Sequence, residues 1–222
     1  MDELITLRAL GALITYPSPE LIAALPEIGA VLAGSQLLPA PERVQLAGLI
    51  AEMRTTDGID LESKYVELFD RGRATSLHLF EHVHGESRDR GTAMVELKQI
   101  YANAGYELTT NELPDYLPVI LEYLSCRNLA EARAMLGDCA HILRDIGEAL
   151  VRRSSRYAAV FAALLAAVQE PGLDRSKAHE ARGPDRPLDE DWAETPAFAA
   201  VDAKGAAVPE FAPIRFTPRR RA

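Results

Sequence analysis

Apolar side chains recur at three- and four-residue spacing from Leu4 to Val168, and a proline, glycine or short polar cap punctuates nearly every run. This period confines the chain to α-helices, because a half-buried strand needs apolar residues at every second position. Alternating β-branched runs and Asn-Gly hairpins are nearly absent, and no internal repeat is evident. Leu4, Leu7, Leu10, Gly11 and Ile14 share one helical face, and Pro17 stops that helix. Ser18-Pro19-Glu20 is a start signal: a hydroxyl N-cap, proline at the first helical position and a carboxylate at the positive helix end. This second helix contains Pro26, so a kink or split is expected there. Pro41 opens a third helix, with Val44, Leu46, Leu49, Ile50 and Met53 as its apolar stripe. Asp57-Gly58 breaks it, and Asp60 is expected to cap a fourth that holds Leu61, Tyr65, Leu68 and Phe69.

Beyond a turn at Arg71-Gly72-Arg73, a short apolar piece runs from Leu77 to Val83. A long helix is expected from Ser87, with Met94, Leu97, Ile100, Tyr101 and Ala104 facing the core and Gly105 as its C′ residue. Glu112 to Leu124 reads as the next helix, with Pro114 near its start and Pro118 inside it. Asn128 followed by Glu131 resembles a capping box and starts a helix expected to reach Arg152. Tyr157 to Gln169 is an Ala-rich final helix. The expected fold is all-α, a single compact helical bundle over residues 1–170.

Composition changes at Pro171. Seven of the 14 prolines lie in residues 171–222, where nine basic and nine acidic side chains cancel, so the body carries the whole formal charge of −9. A disordered Pro-rich tail is expected over 171–222. Within it, Asp189-Glu190-Asp191-Trp192 is acidic around an aromatic, and Arg219-Arg220-Arg221 is basic.

The net charge of −9 and pI near 5.1 argue against a nucleic-acid binder, which needs cations to neutralise phosphates. A cationic peptide suits such a surface. Cys126 and Cys139 match no zinc spacing and read as small apolar fillers in a reducing compartment. The chain opens Met1-Asp2-Glu3 without a leader pattern, and its longest apolar run, Ala158 to Val168, is too short to span a bilayer. A cytoplasmic protein without stable membrane insertion is expected.

Chemistry-bearing residues concentrate between Tyr65 and Gly91. His78 and His82 are four apart, one helical face, with His84 and Glu86 as further candidate metal ligands. Glu81, immediately before the second histidine, does not fit H-E-x-x-H. The alternative is a polar network in which Asp70, Arg71, Arg73, Glu81, Glu86, Arg88, Asp89 and Arg90 satisfy one another. Ser76, His78 and Glu81 are triad residue types without a nucleophile elbow, and Cys139 and His141 fall on different helix faces. No catalytic residue is assigned. A second candidate site is Glu112-Leu113-Pro114-Asp115-Tyr116-Leu117-Pro118, where carboxylates and an aromatic suit the cationic end of an amphipathic peptide.

Tyr65-Val66-Glu67-Leu68-Phe69 resembles the Y-x-x-L-F motif of the all-helical chaperones that mature molybdoenzymes. Glu112-Leu113-Pro114-Asp115-Tyr116 stands where that superfamily has E-P-x-D-H. The run from Phe69 to Gly91 is similar to the branch that assembles respiratory nitrate reductase, the NarJ-type delta subunits, as are E-L-P-D-Y-L-P and L-E-Y-L-S after it. The likeness covers about residues 1–170, and the acidic segment at Trp192 suits it. Tyr116 replaces the wider superfamily's histidine, so any role of that histidine does not carry over; the nitrate reductase branch shares this departure.

The resemblance implies a dedicated chaperone and not an enzyme. Its partner would be the apo catalytic α subunit of nitrate reductase, bound at the N-terminal segment, with cofactor-insertion proteins as further partners. The client would receive molybdenum cofactor and iron–sulfur clusters before membrane docking, and the chaperone itself would hold no cofactor stably. A monomer or weak homodimer is expected. Candidate partner-binding residues are Tyr65, Phe69, Arg73, His78, Glu81, His82, Glu86, Glu112, Asp115 and Tyr116. The rival assignments are a chaperone for another twin-arginine-type molybdoenzyme and a hydrolase with metal on His78, His82 and His84.

Overall fold

The computed structural model describes residues 3–84, 88–108 and 112–174. Among these residues it contains ten α-helices, a π-helical turn and a 3-10 turn, and no strand. The sequence expectations for Glu86, for the acidic segment at Trp192 and for the basic end at Arg219 lie outside the described residues.

Helix α1 (Ile5–Leu13) buries the expected face, with Leu7, Leu10, Leu13 and Ile14 all but inaccessible. Helix α2 (Pro19–Ala33) starts as its sequence dictates, the Ser18 hydroxyl accepting the Leu21 amide at 3.3 Å. It runs unbroken past Pro26, so the expected split does not occur. Helix α3 (Ala40–Thr55) buries Leu46, Leu49, Ile50 and Met53. Val44 is 72% exposed because it lies half a turn round from that stripe, a correction to the sequence reading. Helix α4 (Gly58–Tyr65) is capped by Asp57, whose carboxylate accepts the Ile59 amide at 3.0 Å; Asp60 falls in the first turn instead.

Helices α5 (Leu79–His84) and α6 (Arg88–Asn103) follow. Among the described side chains of α6 only Leu97 and Tyr101 are buried, and Ile100 is 47% exposed: α6 packs through a narrower face than its sequence suggests. Gly105 adopts φ +83°, the left-handed C′ conformation expected after this helix. Helix α7 (Leu117–Ser125) begins at the second proline, not before the first, with Pro118 in the first turn, where a missing N–H costs nothing.

Helices α8 (Leu129–Asp138) and α9 (Ala140–Arg152) replace the single helix expected after Asn128. The cap itself is as expected, Asn128 accepting the Glu131 amide at 2.9 Å. The break at Cys139 lets α9 turn a separate stripe, Ile142, Leu143, Ile146 and Leu150, onto α10 (Ala158–Ala167). Helix α10 is apolar all round and buried from Ala159 to Leu165, as a bundle's central helix must be. Cys126 is exposed rather than a core filler. Among the described residues, no helix is long and apolar enough to cross a membrane.

Candidate functional site

The Tyr65–Phe69 motif closes α4 and enters a π-helical turn, Val66–Asp70. Tyr65 and Phe69, four residues apart, both turn into the core, where they are 3% and 5% exposed. Tyr65 lies edge-on to Tyr16 (5.6 Å), next to Phe69 (5.0 Å), which meets Tyr157 (5.1 Å). The Tyr65 hydroxyl donates to the Ile14 carbonyl at 3.0 Å, at the end of α1, and lies 3.2 Å from the Tyr116 hydroxyl. The two sequence motifs therefore meet hydroxyl to hydroxyl, and burial raises the pKa of both phenols.

A short antiparallel bridge pairs His78 with Tyr116. Leu79 donates to the Asp115 carbonyl (3.1 Å) and Leu117 to the Leu77 carbonyl (2.8 Å). Asp115 is fully buried, and its carboxylate accepts the Phe80 amide at 3.0 Å and lies 3.3 Å from His78 Nδ1. It thus serves the first turn of α5, where amide donors lack helical partners. The Asp115 hydrogen bond raises the pKa of His78, against a lowering by desolvation. Around it, Ser76 donates to Glu81 (2.6 Å), Arg90 pairs with Glu81 (3.1 Å), and His82 Nε2 lies 2.9 Å from the Ser76 carbonyl. His78 and His82 are engaged by protein groups, and among the described residues no three His, Cys, Asp or Glu side chains are placed to hold a metal.

Tyr116 has a second side. With α1 and the start of α7 it lines a groove of about 550 Å³. Gly11, Ala12, Leu108, Pro118 and Val119 supply apolar surface, and Glu107, Glu112 and Glu122 add carboxylates. Arg8 is the one cation among the described lining residues and pairs with Glu122 at 3.4 Å, both side chains about two-thirds exposed. Tyr16, 46% exposed, lines the groove, and a hydrogen bond with Glu62 raises its phenol pKa. Helices α1 and α7 pack closely enough that a Cβ on Gly11 would stand 3.2 Å from Leu121 Cβ. That contact fixes the two groove walls.

Of the candidate contacts read from sequence, Glu112 and Tyr116 line this groove. Tyr65, Phe69 and Asp115 are buried behind it, where they hold Tyr116 and the end of α1 in place. His78, Glu81 and His82 form the neighbouring hydrogen-bonded joint, and Arg73 is exposed on the 3-10 turn Arg73–Thr75, which packs near α9. Sequence reasoning missed Arg8, Ala12, Tyr16, Glu107, Val119 and Glu122. A signal existed in α1: Arg8, Ala12 and Thr15 share a helical face distinct from the leucine stripe.

A family model described as nitrate reductase delta subunit matches residues 35–163. The chain is 43% identical over 197 residues to the nitrate reductase molybdenum cofactor assembly chaperone NarJ of Escherichia coli strain K12, covering 86% of this chain and 83% of that protein. It is 31% identical over 175 residues to the probable nitrate reductase molybdenum cofactor assembly chaperone NarJ of Bacillus subtilis strain 168, covering 79% and 94%. Against the nitrate reductase-like protein NarX of Mycobacterium tuberculosis H37Rv it is 30% identical over 155 residues, 69% of this chain and 23% of the larger protein.

Proposed function

The chain belongs to the nitrate reductase delta-subunit family, and on that premise we propose that its groove captures the N-terminal segment of the apo catalytic α subunit of respiratory nitrate reductase. The protein is a system-specific assembly chaperone and not a catalyst, in keeping with the names of its relatives. The observation that carries the capture mechanism is the groove's combination of apolar surface with Glu107, Glu112 and Glu122. An amphipathic helix with a cationic flank complements both: its apolar side chains leave water against Ala12, Leu108 and Val119, and its cations meet the carboxylates.

The groove takes a few side chains, so the recognised element is a peptide segment and not a folded domain. Held this way in the cytoplasm, the client stays open to molybdenum cofactor and iron–sulfur insertion and is kept from the membrane until both are loaded. The metals are the client's cargo.

Calorimetric titration with a synthetic α-subunit N-terminal peptide tests this reading. A scrambled peptide and a twin-arginine leader serve as controls. Saturable binding of the α peptide alone supports the assignment. Preference for the leader replaces it with a chaperone of a secreted molybdoenzyme, and no binding to any of the three removes peptide capture.

A further inference from the structure

The groove contains its own cation. Arg8 reaches from α1 to Glu122 on α7, and the pair bridges the two walls between which a client helix would lie. Both side chains are about two-thirds exposed. An ion pair this wet is weak and is easily exchanged for another of the same kind. Glu107 and Glu112, also on the groove, have no such cation among the described lining residues. The geometry points to Arg8 as an intramolecular plug that occupies the Glu122 subsite, so that a client's cationic side chain must displace it.

This inference rests on the peptide-capture reading and deepens it by naming a specificity-determining residue. Arg8 sets a threshold. A peptide with cations for Glu107 and Glu112 alone leaves the plug in place and meets a positive charge in the groove. A peptide with a further cation in register exchanges with Arg8 at little net cost, because one exposed pair replaces another. Weakly basic amphipathic segments are thereby disfavoured, while a strongly basic client gives up only the worth of one exposed pair, a repulsive element of the kind specific interfaces use.

The test is a double-mutant cycle on the full chain, read by calorimetry with two probes: the α-subunit N-terminal peptide and an idealised Leu/Lys amphipathic helix. Arg8→Gln keeps the side-chain stem and removes the charge, and is expected to tighten Leu/Lys binding about threefold, the size of an exposed ion pair. In a Glu122→Gln background the same change should alter affinity by less than about 1.5-fold, because no plugged subsite remains. A Leu/Gln helix should be indifferent to Arg8. Tightening of equal size with and without Glu122 overturns the plug and reduces Arg8 to general charge repulsion; so does an unchanged or weakened affinity of Arg8→Gln. If the Leu/Lys helix obeys the cycle while the α peptide does not bind, the plug stands and the client assignment fails. If the α peptide binds and Arg8→Gln tightens neither probe, the reverse holds.

Discussion

Replacing Asp115 should uncouple the segment around α5 from the start of α7. The carboxylate is fully buried and holds two donors, the Phe80 amide at 3.0 Å and His78 Nδ1 at 3.3 Å. Hydrogen bonds to a charged group contribute about 1.5–3 kcal/mol each, and a buried donor left unpaired costs about 1–3 kcal/mol. The His78 contact is longer than a good charge-assisted bond and is partly exposed to solvent, so the Phe80 amide carries most of the loss. Asp115→Ala should therefore destabilise the protein by about 3 kcal/mol, or roughly 6–12 °C in Tm for a domain of this size. Asp115→Asn retains an acceptor for Phe80 and should cost about 1–2 kcal/mol.

The two variants share a pH signature. Asp115 raises the pKa of His78 above its ordinary 6.5. A raised folded pKa means that the stabilisation is full below pH 6.5 and is lost as pH rises through the raised value. The gap between wild type and Asp115→Asn should thus be widest at pH 6 and narrow toward pH 8. Urea unfolding across that range measures it, with the His78 imidazole titration followed by NMR. Both variants lying within about 0.5 kcal/mol of wild type, or a His78 titration indifferent to Asp115→Asn, would refute the reasoning.

Tyr65→Phe removes the hydroxyl that joins Ile14 and Tyr116, and should cost about 1–2 kcal/mol in urea unfolding while leaving the ring contacts intact. Gly72→Ala should destabilise by about 1–3 kcal/mol, because the new Cβ would lie 2.7 Å from the Leu68 carbonyl oxygen and 2.5 Å from the Thr75 hydroxyl; thermal unfolding reads this out. Glu107→Gln with Glu112→Gln should weaken the α peptide by about three- to tenfold at low salt and by less at high salt, with unchanged Tm, since both side chains are exposed.

Much of the bundle could be read from the chain because its helix ends carry local chemistry. Ser18, Asn128 and Gly105 act within a few residues of themselves, so spacing alone identifies them. The errors arose where tertiary packing decided the outcome. Val44 is the exception, since the helical period alone puts it half a turn round from the stripe; the apolar pattern, by contrast, runs through Cys139 although the chain breaks there. Glu112 and Leu113 look helical, yet α7 starts only at Leu117: residues 112–115 form a bend and a turn, and the bridge to His78 holds Tyr116 extended at the helix entrance.

The site was legible in half. Tyr65, Asp115 and Tyr116 stand out by residue type, and the structure joins them across sequence separations of 51 residues for the tyrosine pair and 37 for His78 and Asp115. The groove they support also needs Arg8, Ala12, Tyr16 and Val119, ordinary residues whose role comes only from the α1–α7 contact. No motif encodes that contact. Two small residues on α1, Gly11 and Ala12, allow it.

The most direct test of the account is an amide and methyl NMR titration of the protein with the α-subunit N-terminal peptide. Capture in the groove predicts shift changes that begin at Ala12, Tyr16, Leu108, Tyr116 and Val119 and leave the far ends of α3 and α9 untouched. Changes centred on α3, α9 or the exposed face of α6, with the α1–α7 groove silent, would contradict it.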